Sequence, residues 1–283
     1  MKESLKMEID WDVNREELTI RGEKSNHYAL MRSDNGKILS VCSKLYEPFY
    51  NRDLKKLVER IENLSSFRCI GFEQFQRGKR ILAFLKDSNP APLVDSMSDH
   101  YLIIGNSHDQ SSKIFLGLTN VMHRCENQFS RELFDLRIKH TQRLDLTDQA
   151  IYLMIENYKK GKQKQIQLSR ELSLLYMGRD DVNEFLEFMF PDLSRTKVDN
   201  EHVSEALQRS RKRRREMMDS IQLEMEDLGK NAWGMFNGVT FYTSNRMRRG
   251  NAGFGNTNGT AQQLNARAWE YCTKLVEERR IAK

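Results

Sequence analysis

The sequence has few of the residues that mark secreted or metal-binding proteins. Its four cysteines, at positions 42, 69, 125 and 272, lie far apart, and no two form a Cys-x-x-Cys pair. This spacing argues against a disulfide scaffold and a zinc site, and it favours reduced thiols. We therefore expect no bound metal ion and no cofactor.

Long apolar runs and familiar catalytic motifs are also missing. No stretch approaches the ~20 apolar residues of a membrane-spanning helix. Residues 1–12 are acidic and have no apolar centre, so we expect no signal peptide, a cytoplasmic location and no membrane partner. The absence of a P-loop, Gly-x-Ser-x-Gly and His-Glu-x-x-His argues against a hydrolase of a familiar type.

The patterns of apolar residues predict an α+β protein. Asn35-Gly36 favours a hairpin turn because both residues accept a positive φ. A helix over residues 51–63 follows from apolar residues at helical spacing, with Asn51 as its N-cap. Strands are expected at residues 28–32, 38–43, 67–75, 79–85, 101–104 and 114–118.

From about residue 123 the pattern becomes helical. Only four prolines are present, none after residue 191, so no linker is evident. We expect a strand-rich lobe over residues 1–122 and a mainly helical lobe over 123–283, in one compact unit. The helices are predicted at residues 128–158, 165–175, 181–190, 200–246 and 261–279.

The basic residues are concentrated in the second half of the chain. Residues 1–122 contain 18 Lys and Arg against 17 Asp and Glu, and residues 123–283 contain 28 against 23. Six of the seven residues from 209 to 215 are basic: Arg209, Arg211, Lys212, Arg213, Arg214 and Arg215. Such a run neutralises phosphates, although nearby glutamates would equally make it a solvated helix face.

A second basic segment precedes a loop rich in glycine and asparagine. Arg246, Arg248 and Arg249 lead into residues 250–259, whose backbone amides could hold a phosphate. A mobile surface loop is the plainer interpretation. Base-stacking faces could come from aromatic residues, which more often form core: Tyr46, Phe49, Tyr50, Trp233, Phe236, Phe241 and Tyr242.

Five short motifs occur in a characteristic order along the chain. They are Tyr46-Glu47-Pro48-Phe49-Tyr50-Asn51, Gly78-Lys79-Arg80, Asn106-Ser107-His108-Asp109-Gln110-Ser111, Cys125-Glu126-Asn127-Gln128 and Trp233-Gly234-Met235-Phe236-Asn237-Gly238-Val239-Thr240. In this order the chain resembles the phage/plasmid-like protein family of prokaryotes, a domain of unknown function, over roughly residues 10–275. The resemblance implies a bacterial host cell and DNA metabolism, and no mechanism. Gln110 replaces the usual loop glycine, which argues against a positive φ there, and Met122 replaces an arginine.

His108, Asp109 and Cys125 are the candidate catalytic residues. A histidine beside an aspartate suggests a general base or metal ligand, and a nearby cysteine suggests a nucleophile pair. The alternative is a loop held by Asx and Ser hydrogen bonds and a buried thiol.

Three functions remain open. The first is a protein that binds single-stranded nucleic acid and acts in recombination or annealing. Such a protein needs no catalytic group, and it could form a homo-oligomer. The second is a nucleotide- or nucleic-acid-processing enzyme that uses His108 and Asp109 in a pocket with Asn127 or Asn237. The third is a host-interaction or anti-defence protein that acts through a protein interface.

Overall fold

The computed structural model describes residues 8–94, 96–122, 128–132, 147–191, 201–247 and 260–281. Within these ranges every strand lies before residue 133, and every α-helix but one begins after residue 147. The predicted α+β class, with a strand-rich N-terminal half and a helical C-terminal half, is confirmed.

Nine strands form two sheets in the part of the chain that is described. The first sheet has the order β1-β2-β3, and the second has the order β4-β5-β7-β8-β9 with β6 paired to β7. The strands are β1 Val13–Ile20, β2 Glu23–Arg32, β3 Ile38–Ser43, β4 Phe67–Phe75, β5 Arg80–Asp87, β6 Ala91–Leu93, β7 Ser96–Ser107, β8 Phe115–Met122 and β9 Gln128–Glu132.

The hairpin predicted at Asn35-Gly36 is confirmed. β2 and β3 pair antiparallel, and Gly36 in their turn has φ +67°. β4 and β5 also pair antiparallel around the turn Gln76–Gly78. Helix α1, Asn51–Leu64, buries the predicted apolar stripe, which includes Leu54, Leu57, Val58 and Ile61.

The helices after residue 147 have other bounds than predicted, and the predicted helical stretch at 200–246 is divided into two α-helices and a turn. They are α2 Asp148–Ser173, α3 Arg179–Met189, α4 Glu201–Leu228, α5 Ala232–Phe241 and α6 Thr260–Ile281, with a π-helical turn at Tyr242–Arg246. The predicted helix at 165–175 is the end of α2. The prediction of a helix at residues 128–132 was wrong, because this segment forms strand β9 beside β8. Strand pairing outweighs the weak local propensity of these five residues.

The described residues divide into two compact units. The first lies within residues 1–90, 99–120 and 132–161, and the second within 91–98, 121–131 and 162–283. In the first, α1 and the inner faces of the strands share one apolar core with the early turns of α2, where Tyr158 donates to Asp87 (3.0 Å). Burial, and then the Asp87 carboxylate, raise the pKa of Tyr158.

Among the described helices, none combines the length and the apolar character that a membrane span requires.

The core of the second unit depends on a close approach between α4 and α5. A Cβ atom placed on Gly238 would lie 2.4 Å from Cα of Ile221, and one on Gly234 would lie 2.6 Å from the carbonyl oxygen of Gly229. Real Cβ atoms do not come this near to backbone, so these two positions accept only glycine. The glycines of the Trp233–Thr240 motif are thereby explained as packing residues.

We predict that Gly238→Ala destabilises the protein although alanine favours helix. Helix propensity alone would stabilise the variant by about 1 kcal/mol. The contact with Ile221 forces α5 away from α4, and we expect a net loss of about 2 kcal/mol in the free energy of unfolding, measured by urea denaturation. A variant as stable as the parent would show that the helices do not approach this closely.

Candidate functional site

Asn51 begins α1 with its side chain completely buried. The expectation that it caps the helix is wrong: Tyr50 holds the N-cap position, and no side chain there bonds to the first turn. Asp12 serves the helix start instead, because its Oδ1 accepts from the backbone N–H of Asn51 (2.9 Å). Its other oxygen pairs with Arg52 (3.0 Å). A carboxylate at a helix N-terminus also interacts favourably with the helix dipole.

The Asn51 amide joins two distant parts of the chain. Its Nδ2 donates to the carbonyl oxygen of Trp11 (3.0 Å), and its Oδ1 lies 3.0 Å from Nε2 of His108. A carbonyl oxygen can only accept, so the amide nitrogen must face Trp11 and the amide oxygen must face His108. Nε2 of His108 therefore carries the proton and donates.

Three hydrogen bonds join the motif at residues 46–51 to the motif at residues 106–111. Besides the His108–Asn51 bond, Nδ2 of Asn106 donates to the carbonyl of Phe49 (2.8 Å). The hydroxyl of Tyr46 donates to the carbonyl of Ser107 (3.2 Å), and burial raises the pKa of that phenol. Pro48 is also buried. We name Tyr46, Asn51, Asn106 and His108 the polar clamp; all four are buried, and three are completely inaccessible.

Gly78, from a third motif, lies directly against the ring of Trp11 next to the polar clamp. Its φ is +97°. A Cβ atom there would fall 2.6 Å from Cζ2 of Trp11 and 2.9 Å from a guanidinium nitrogen of Arg32. The guanidinium carbon of Arg32 lies 4.0 Å from the centroid of the Trp11 ring. The Trp11 ring also meets the His108 imidazole edge-to-face, with their centroids 5.8 Å apart. The indole Nε1 donates to Gln74 (3.0 Å).

His108 and Asp109 have different partners and do not form a pair. The His108 ring turns inward to Asn51, and the backbone N–H of His108 donates to the backbone carbonyl of Lys79 (2.7 Å). The carboxylate of Asp109 accepts from the backbone and hydroxyl of Ser111 and lies 3.4 Å from Nε of Arg80. Arg80 donates to the same Ser111 hydroxyl (2.8 Å). This geometry orders a loop and assembles no catalytic dyad at these two residues.

Gln110 adopts a left-handed conformation, with φ +60°. The expectation that a glutamine would avoid a positive φ is wrong. Its side-chain amide donates to the carbonyl of Val41 (2.8 Å), and the Ser40 hydroxyl donates to the carbonyl of His108 (2.6 Å). These two bonds to β3 hold the loop in a conformation that its sequence disfavours.

The remaining motif residues lie elsewhere. Asn237 is buried in α5 and donates to the carbonyl of Trp233 one turn earlier (2.8 Å), within the second unit. Cys125, Asn127, Arg248 and Arg249 fall outside the described residues, as does the loop at 250–259. In the described ranges, no three His, Cys, Asp or Glu side chains are placed to hold a metal ion.

The basic run lies on α4, and its members divide into two classes. Arg209 pairs with Glu205 (3.7 Å), Lys212 with Glu216 (3.9 Å), and Arg214 with Glu187. By contrast, three arginines are exposed and have no acidic partner among the described residues: Arg211, Arg213 and Arg215.

Arg246 closes the π-helical turn after α5 and anchors it to α4. Its guanidinium lies 3.7 Å from Asp219 and donates to the carbonyl of Glu216 (3.3 Å).

Most of the aromatic residues proposed for base stacking have no open ring face, since five of the seven are buried: Tyr46, Phe49, Trp233, Phe236 and Tyr242.

Sequence reasoning missed Trp11, Asp12 and Arg32, which complete the surroundings of the clamp. Trp11 and Asp12 precede the first strand, and their roles depend on contacts with residues some 40 to 63 positions away. The one available signal is Trp11 itself, since an indole needs a partner for its N–H when buried.

One family model matches most of the chain. It is described as a domain of unknown function (DUF932), and it matches residues 38–269. The chain belongs to this family. No curated protein and no solved structure matches the chain significantly. The DUF932 match therefore covers the polar clamp and α4, and it assigns an activity to neither.

We predict that Gly78→Ala is far more harmful than Gly36→Ala. Both glycines have a positive φ, which costs an alanine about 1 kcal/mol. Only at Gly78 does the new Cβ meet Trp11 and Arg32, whereas nothing lies within 4 Å at Gly36. Thermal or urea unfolding should show Gly78→Ala less stable than Gly36→Ala by about 2 kcal/mol. Equal losses would mean that Trp11 does not rest on this turn.

We also predict that Asn51→Ala destabilises the protein by about 2–3 kcal/mol, because it leaves the buried Trp11 carbonyl and the His108 N–H unsatisfied. Its neighbour provides the control. Arg52→Ala removes an exposed ion pair with Asp12 and should cost less than about 1 kcal/mol. Urea denaturation measures both, and similar values for the two variants would contradict a buried role for Asn51.

Proposed function

We propose that this DUF932 protein binds nucleic acid through exposed arginines of α4. The observation that carries the proposal is the set of three arginines that the fold leaves without acidic partners among the described residues: Arg211, Arg213 and Arg215. Their neighbours in the run form ion pairs. The three remaining guanidinium groups are therefore accessible to an external anion.

The positions of these arginines favour a polyanion over a structural role. Arg211 and Arg215 are separated by one helical turn, and like charges at this spacing destabilise a helix by about 0.2–0.5 kcal/mol. A phosphate backbone removes this repulsion and releases counterions on binding. Guanidinium groups also bind phosphate oxygens in a bidentate manner.

A single strand is the form that we propose. A duplex is stiff over about 150 base pairs, so it meets a short helix in one place, whereas a single strand can bend to follow the arginines. Because the buried aromatics offer no open stacking faces, the contacts are with the backbone and are independent of base sequence. In this proposal the protein acts in the cytoplasm of a bacterial host, in recombination or annealing, and the order of its motifs supports an origin in a phage or plasmid.

The test is fluorescence anisotropy with a labelled single strand of about 30 bases and its duplex, each at two salt concentrations. We expect salt-sensitive binding with a preference for the single strand. The variant Arg211→Gln/Arg213→Gln/Arg215→Gln should bind at least about ten-fold more weakly. Its slope of log K against log salt should be shallower by about 2, since each lost phosphate contact contributes roughly 0.7.

The matched control removes three exposed charges from the first unit, in Lys24→Gln/Lys44→Gln/Lys56→Gln. It lowers the net charge equally and should bind almost as well as the parent. Equal weakening in both variants would show that net charge alone is responsible. Absence of binding at low salt would overturn the proposal.

A further inference from the structure

Strained backbone is concentrated in two neighbouring turns of the first unit. Five residues other than glycine have a left-handed φ in the described chain, and three of them lie in these turns: Gln76 (+48°), Arg77 (+64°) and Gln110 (+60°). A side chain disfavours this conformation, and such residues persist where the surrounding structure enforces them. Strain of this kind is frequent at ligand-binding sites.

Hydrogen bonds hold the two turns against each other. The backbone N–H of His108 donates to the backbone carbonyl of Lys79 (2.7 Å), and Nε of Arg80 donates to the hydroxyl of Ser111 (2.8 Å). On the other side, Arg32 donates to the carbonyl of Arg77 (3.0 Å). We name residues 76–80 and 108–112 the paired turns. Their conformation is fixed before any ligand arrives, which lowers the entropic cost of binding.

The paired turns carry an excess of positive charge. Arg80 lies 3.4 Å from Asp109 and is neutralised by it. Arg77 and Lys79 have no acidic partner among the described residues, and Arg77 is exposed. The exposed side-chain amide of Gln76 adds a neutral hydrogen-bond donor. The Asp109 carboxylate is already engaged, so the surface is suited to an anion and not to a metal ion.

We propose that the paired turns bind a phosphate group, with Arg77 and Lys79 supplying the charge and the Gln76 amide a neutral donor. The phosphate belongs either to a small ligand such as a nucleotide or to a nucleic-acid backbone. This site lies in the first unit and uses none of the arginines of α4. It therefore stands or falls separately from the function proposed above.

The first experiment is calorimetric titration of pyrophosphate at constant ionic strength. We expect the parent and the α4 triple variant to bind it equally, and Arg77→Gln/Lys79→Gln to bind at least ten-fold more weakly. Lys24→Gln/Lys56→Gln removes the same charge elsewhere and should leave the affinity unchanged. Arg77→Gln alone, at an exposed position, should give part of the loss without affecting folding.

Two results would overturn the proposal. One is pyrophosphate binding weaker than millimolar by the parent protein, and the other is equal affinity in the parent and the turn variant. Anisotropy with the labelled single strand then identifies the source of the phosphate. If the turn variant loses pyrophosphate and oligonucleotide together, the ligand is a nucleic-acid backbone. If it loses pyrophosphate alone, the ligand is a small phosphorylated molecule.

Discussion

The hydrogen bonds of one buried amide constrain the first unit of this protein. Asn51 faces an acceptor on one side and a donor on the other, so its amide has one satisfactory orientation. This links the segment before β1, the start of α1 and the end of β7. The positions of Trp11 and His108 follow from it, and the turn at Gly78 packs on Trp11 in consequence.

The same constraint changes the interpretation of the motif residues. Tyr46, Asn51, Asn106 and His108 have the residue types of an active site, yet their described hydrogen bonds are used to join motifs. The basic residues to which we attribute binding lie elsewhere, on α4 and in the paired turns. The binding that we propose for this DUF932 protein uses exposed basic side chains, and the buried polar residues supply the framework that positions some of them.

Local patterns predicted most of the elements but not their assembly. Asn35-Gly36 and the spacing of Leu54, Leu57, Val58 and Ile61 predicted a hairpin and a helix, because turns and amphipathic helices depend on neighbouring residues. Strand β9 was missed because pairing with β8 decides its conformation. The left-handed Gln110 was missed because bonds to β3 enforce it. The contacts of Trp11 and Arg32 join distant residues, which periodicity cannot show.

The most direct test of this account is a double-mutant cycle on Asn51 and His108. Asn51→Ala, His108→Ala and the double variant would be compared with the parent by urea denaturation. The account predicts a coupling free energy of about 1–2 kcal/mol, because each side chain satisfies the other in a buried site. Losses that add to within about 0.5 kcal/mol would show that the two residues act independently, and would contradict the polar clamp.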